Sequence, residues 1–94
     1  MTNLASLTHP QPVAGAADRR FLVVDDSVTM RRILSNVLKQ LGYGESVQAG
    51  NGRDALQRLQ TEQVDVVITD WQMPEMGGLD LIKALRKSPK TSHL

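Results

Sequence analysis

The chain contains no cysteine, and its 94 residues include only one each of tryptophan, tyrosine and phenylalanine. Without cysteine there is neither a disulfide framework nor a thiolate metal site, so nothing points to secretion. Long apolar runs are missing as well. None approaches the roughly 20 residues that a membrane helix needs, and residues 1–20 lack the basic start and apolar stretch of a secretory signal. Charge of one sign is equally scarce, because eleven Lys and Arg offset ten Asp and Glu to leave a formal net charge of +1. Scattered basic residues with few aromatics leave out the footprint of a nucleic-acid binder. Arg31 and Arg32, like Arg86, Lys87 and Lys90, read as solvated helix faces. One small domain in a cytoplasmic setting is the expectation that remains.

Residues 1–18 hold two prolines, several alanines and no apolar periodicity, which predicts a flexible extension. From Arg19 onward strand and helix signals alternate, the pattern of a βαβ architecture. The run Phe21-Leu22-Val23-Val24 reads as a first strand. A helix follows from near Ser27, where Asp26 or Ser27 can cap the free N–H groups of the first turn. Met30, Ile33, Leu34, Val37, Leu38 and Leu41 predict its apolar stripe, and Gly42 its stop. A short strand over 45–49 leads through the turn Gly50-Asn51-Gly52 to a helix bearing Ala55, Leu56 and Leu59. The third strand, Val64 to Thr69, is apolar enough to predict cover on both faces. After the loop 71–78 a third helix carries Leu79, Ile82 and Leu85 on one side, and Pro89 closes it.

Two of these strands end in acid: Asp25-Asp26 follows the first and Asp70 the third. If the strands are parallel neighbours, the three carboxylates meet at the sheet end where open α/β proteins place ligands. Two carboxylates about 4 Å apart repel by roughly 4 kcal/mol at an effective dielectric near 20, a cost that a hard cation removes. Magnesium suits such a set, since it takes oxygen ligands, keeps several waters and uses one or two carboxylates. Taken singly, each aspartate is ordinary capping or turn chemistry. Taken together they concentrate negative charge in one place, which is costly unless used. Trp71 is expected to be a partly buried anchor, Met73 and Met76 to pack, and Glu75 to be solvated. His9 and His93, in the terminal segments, are given no ligand or proton-transfer role.

Three stretches carry a family resemblance: Val23-Val24-Asp25-Asp26-Ser27-Val28-Thr29-Met30-Arg31-Arg32, Ala49-Gly50-Asn51-Gly52-Arg53-Asp54-Ala55-Leu56, and Thr69-Asp70-Trp71-Gln72-Met73-Pro74-Glu75-Met76-Gly77-Gly78-Leu79. In this order they resemble the receiver domain of response regulators, with the chemotaxis-type, CheY-like receivers nearest in pattern. The resemblance spans residues 20–94. It implies a flavodoxin-like, doubly wound parallel α/β sheet with strand order 2-1-3-4-5, of which residues 19–94 supply the first three β/α units. It also implies that Asp70 takes a phosphoryl group from a phosphohistidine and becomes an acyl phosphate, as carboxylate nucleophiles do. Asp25, Asp26, Asp70 and the backbone carbonyl of Gln72 would hold Mg2+. Catalysis would rest on positioning and charge neutralisation, with the Gln72 side chain near the water that later hydrolyses the phosphate. The implied partners are a histidine kinase or phosphotransfer protein and, for chemotaxis, a flagellar motor switch protein. Self-phosphorylation and self-dephosphorylation would be the whole of its chemistry, without an enzyme's separate substrate.

Departures from the family pattern fall in two places. Gly77 stands where the family often has aspartate. Beyond Leu94 the family has two further strand-helix units, bringing a hydroxyl residue and a lysine to the phosphoryl group. Thr69 and Lys83 cannot replace them, because one belongs to the third strand and the other to the third helix. The sequence therefore predicts an open edge on the third strand and uncovered apolar surface. Each large apolar side chain left in water forfeits roughly 1.5–3 kcal/mol, against roughly 5–15 kcal/mol for a whole domain. The expected consequence is marginal stability, as a fragment of a longer regulator or with the edge recovered by dimerisation or swapping. Two other functions fit part of the pattern. A receiver used as an interaction module without phosphorylation accords with the missing groups. An aspartate-nucleophile phosphohydrolase accords with the carboxylates, but Gln72 occupies the place of its second acid.

Overall fold

Each apolar run of the sequence becomes a strand only where it finds a parallel neighbour, and in the computed structural model, which describes residues 18–94, there are three. All of the expected extension except Asp18 lies outside the described residues, as does His9. In chain order the elements are β1 (Phe21–Val24), α1 (Val28–Gln40), β2 (Val47–Ala49), α2 (Gly52–Thr61), β3 (Val66–Thr69) and α3 (Gly78–Lys87). The strands run parallel in the order β2-β1-β3, with Leu22 opposite both Val47 and Val67, and Val24 opposite both Ala49 and Thr69. This is the α/β arrangement of the first three units of a flavodoxin-like sheet. Having neighbours on both sides, β1 buries Leu22, Val23 and Val24 to 1% exposure or less.

Local signals fix the helix ends. The Ser27 hydroxyl accepts the Met30 N–H at 3.2 Å to start α1. That helix stops at Gly42, whose φ of 98° lies in the left-handed region that glycine enters freely. The Gly42 N–H donates to the Lys39 carbonyl and the Tyr43 N–H to the Leu38 carbonyl, each at 3.0 Å, which together make a Schellman stop. Tyr43 then meets Phe21 edge-on at 4.7 Å between ring centroids, a favoured aromatic geometry. The Asn51 side chain caps α2 by accepting the Asp54 N–H at 2.8 Å, while Asp54 reaches back to the Gly50 N–H at 3.2 Å. Helix α3 ends at Lys87, ahead of Pro89.

Side chains alternate across the sheet, so the two faces of β1 have different partners. Leu22 and Val24 join Val47 and Ala49 against Ala55 and Leu59 of α2 and Leu81 and Leu85 of α3. Met73 and Met76 pack on this cluster, as expected. The other face receives α1, which buries Ser35 and Leu38.

Four expectations about burial are corrected. Of the predicted α1 stripe, Leu38 is buried and Leu34 and Leu41 half-buried, whereas Met30, Ile33 and Val37 are exposed. A helix on a three-stranded sheet reaches too little surface to cover a stripe that wide. In α3 the buried positions are Gly78, Leu81 and, as expected, Leu85, whereas Leu79 is exposed and Ile82 borders an open hollow beside Val67 and Thr69. Strand β3 is not covered on both faces: Val66 is exposed and Val67, Ile68 and Thr69 are half-buried, since β1 is its one strand neighbour among the described residues. Trp71 is 61% exposed instead of anchored. The open edge and uncovered apolar surface of β3 agree with the expectation drawn from the family pattern.

Candidate functional site

The ladders of the sheet continue one residue beyond β1 and β3, and that residue is aspartate in both. The Asp25 N–H donates to the Ala49 carbonyl at 3.1 Å and the Asp70 N–H to the Val24 carbonyl at 2.9 Å. Parallel pairing thus places both backbones at the same end of the sheet, with Asp26 in the turn next to Asp25. One carboxylate oxygen from each of Asp25, Asp26 and Asp70 can be chosen so that all three lie within 4.8 Å of one another. The convergence expected from the strand ends is present.

The carboxylates are held differently. Asp25 is half-buried, and its Oδ1 accepts the Ser27 N–H at 2.9 Å. Asp70 is half-buried, and its Oδ1 accepts the Trp71 N–H at 2.8 Å. Asp26 is exposed, and no described residue donates a hydrogen bond to its side chain. Among the described residues the ion pairs are Arg20–Glu62 and Lys39–Glu45, so no basic side chain forms an ion pair with the three carboxylates. Three hard oxygen donors, without histidine or cysteine and with oxygens to spare, match the coordination chemistry of a magnesium-sized cation.

Loop 71–77 closes one side of the site through two near-contacts that require glycine. A Cβ on Gly78 would lie 2.3 Å from the Asp70 carbonyl oxygen, and one on Gly52 would lie 2.6 Å from Met76 Cγ. The Gly78 N–H donates to the Trp71 carbonyl at 3.0 Å, and the Gly52 N–H to the Met76 carbonyl at 2.9 Å. Glu75 turns the loop with a φ of 69°, uncommon outside glycine, and is exposed as expected. Gln72 lies in this loop two residues after Asp70, also exposed. The Thr69 hydroxyl donates to the Asp70 carbonyl at 2.9 Å, so it braces the strand end from within β3.

Sequence reasoning missed Gly52 and Gly78 as loop clamps, because a glycine within a turn or helix start reads the same whether or not another segment presses on it. It also placed Arg31 on a solvated face, whereas Arg31 is half-buried and donates to the Asp25 carbonyl. Arg86 and Lys90 likewise do more than solvate: the first donates to the Ser92 and Leu94 carbonyls, the second to the Gln60 carbonyl.

A profile of the response regulator receiver domain matches residues 21–94. The chain belongs to that family. Among its relatives, a chemotaxis protein CheY of Pseudomonas aeruginosa is 43% identical over 75 residues, which are 80% of this chain and 60% of the relative. CheY1 of Helicobacter pylori is 49% identical over 76 residues, 80% of this chain and 61% of the relative. In three dimensions this receiver is similar to the chemotaxis response regulator CheY4 of Vibrio cholerae, with a TM-score of 0.73 and 38% identity over 79% of this chain and 61% of that one. It is also similar to the response regulator TrrA of Thermotoga maritima, solved in complex with Mg(2+)-BeF, with a TM-score of 0.71 and 39% identity over 77% of this chain and 62% of that one. The chain therefore spans about 60% of the length of the curated relatives it matches. Among the described residues no helix is long and apolar enough to cross a membrane.

Proposed function

We propose that this receiver accepts a phosphoryl group on Asp70 from a phosphohistidine, in a two-component relay of the chemotaxis type. The observation that carries this reading is the meeting of Asp25, Asp26 and Asp70 within 4.8 Å at the end of two paired parallel strands. In the transfer an Asp70 oxygen forms a bond to phosphorus while the phosphorus–nitrogen bond breaks and its electron pair leaves with the imidazole. The Trp71 N–H fixes one oxygen of Asp70, which leaves the other directed to the reaction. Asp25, Asp26, Asp70 and the carbonyl of Gln72 are the residues that would hold Mg2+. The ion, when bound, offsets the carboxylate charge and that of the incoming phosphoryl group. TrrA, the relative solved with Mg(2+)-BeF, supports this assignment by analogy. The exposed Gln72 side chain has room to meet the water that ends the signal. Residues 19–94 act as the receiver portion and residues 1–18 as an extension. The receiver would act in the cytoplasm, with a histidine kinase or phosphotransfer protein as its partner and, for a chemotaxis output, a flagellar motor switch protein.

A second reading, an interaction module that is never phosphorylated, is favoured by the partly exposed β3, whose one strand neighbour among the described residues is β1. Incubation with acetyl phosphate and Mg2+, read by intact mass, separates the two. Addition of one phosphoryl group, absent in Asp70→Asn and in EDTA, is the expected result. A chain that binds Mg2+, followed by Trp71 emission, but is never modified supports the interaction module instead.

A further inference from the structure

We propose that Arg31 is a positioning residue for the acidic site, locking the turn that carries Asp25 and Asp26; this rests on the reading of those residues as cation ligands. Arg31 sits one turn into α1, where a surface arginine would ordinarily extend into water. Its guanidinium instead folds back, half-buried, to donate from Nη1 to the Asp25 carbonyl and from Nε to Gln48 Oε1 at 3.3 Å. Gln48 in turn donates from Nε2 to Ser35 Oγ at 3.3 Å, and Ser35 is buried. One chain of hydrogen bonds therefore joins α1, β2 and the β1–α1 turn.

The effect on Asp25 is specific. Its N–H is held by Ala49 and its carbonyl by Arg31, so the peptide from which Asp26 grows has a fixed plane. Asp26 needs this, because no described residue fixes its exposed carboxylate. Its aim toward Asp70 is inherited from the backbone. A guanidinium can serve two acceptors at once through its rigid planar fork, and an ammonium cannot reproduce that geometry. The charged donor also strengthens the bond to the carbonyl. Gly50 borders the same guanidinium, a Cβ there falling at ordinary contact distance, 3.6 Å from Nη1.

The test uses the full 94-residue chain with two readouts: Mg2+ affinity from Trp71 emission, and hydrogen exchange of the Asp25 and Ser27 amides in EDTA. Arg31→Ala is expected to weaken Mg2+ binding by about tenfold or more, the usual scale for residues that orient metal ligands, and to speed exchange at both amides. Arg31→Lys should fall between Arg31→Ala and the parent, and Gln48→Ala should show a smaller loss than Arg31→Ala. Leu59→Ala, destabilised elsewhere in the core, should leave Mg2+ affinity unchanged at a temperature where it is folded. Unaltered affinity and exchange in Arg31→Ala overturn the proposal, as does an equal loss of affinity in Leu59→Ala. If Arg31→Ala does not fold, Arg31→Lys and Gln48→Ala decide by the same criteria. A parent chain without any Mg2+ response defeats the reading of the site, and exchange at Asp25 and Ser27 then decides the role of Arg31 alone.

Discussion

The two faces of the sheet share one central strand and differ in how completely they are covered. On the face of α2 and α3, Leu22, Val24 and Ala49 are sealed under Ala55, Leu59, Leu81 and Leu85, all at 5% exposure or less. On the face of α1, Val23 and Leu38 are enclosed while Met30, Ile33, Val37 and Val66 retain between 37% and 47% of their surface. Two helices seal β1 and β2 on their face and leave Val67 and Thr69 of β3 half-buried, whereas the single helix on the other face leaves more of its surface open. The difference shows that apolar patterning sets the faces of an element, and the number of neighbours sets how much of each face is used. It also places the energetic weight of this receiver on one side, with the acidic site at the rim that both sides share.

The comparison breaks most directly at Leu81, fully buried on the sealed face. Leu81→Ala should cost about 2–5 kcal/mol in urea unfolding, the range for a buried leucine; an effect below about 1 kcal/mol would mean the sealed face is not the stabilising one. Next comes Gly78→Ala, where the new methyl meets the Asp70 carbonyl. A loss of about 1–3 kcal/mol is expected for forced overpacking, together with weaker Mg2+ binding, because the backbone that must yield carries Asp70. Ser27→Ala removes the hydroxyl cap of α1 and should cost about 1 kcal/mol by the same unfolding measurement. Smallest are two changes outside the sealed core. Ile33→Gln should stay within about 0.5 kcal/mol of the parent, since its side chain is already 47% exposed. Gly77→Asp should stay within about 0.5 kcal/mol of the parent, because the side-chain cap that α3 lacks is offset by a Cβ 3.0 Å from the Trp71 carbonyl oxygen. A large loss in Ile33→Gln would show that the α1 face is covered in solution by something further, such as a second copy.

Much of this was legible in the residues. The strand Phe21–Val24, a cap at Ser27 and the Gly42 stop follow from local chemistry and appear where the sequence places them, while the third strand starts two residues later than expected, at Val66, and Asn51, read only as a turn residue, also caps a helix. The meeting of Asp25, Asp26 and Asp70 followed from one added premise, parallel pairing. What could not be read was long-range. The choice of Leu81 over Leu79 and Ile82 as a buried residue of α3 depends on how that helix docks beside α2, and the exposure of Trp71 depends on how the loop lies after Asp70. The inward turn of Arg31 depends on Gln48, a residue 17 positions later. None of these leaves a periodic mark in the chain.

The ladder bonds at Asp25 and Asp70 have a consequence for how the native pairing is chosen. Each carboxylate stands one residue beyond a strand, so slipping β3 by one residue against β1 would carry Asp70 about 3.3 Å along the sheet and turn its side chain to the opposite face. A misaligned chain would then hold Asp70 apart from the Asp25–Asp26 pair instead of presenting one cluster of three. Any cation that prefers the cluster binds only the correctly threaded chain, and by mass action it enriches that chain over its slipped competitors. The site then acts as an inspector of its own scaffold, rewarding the register that built it.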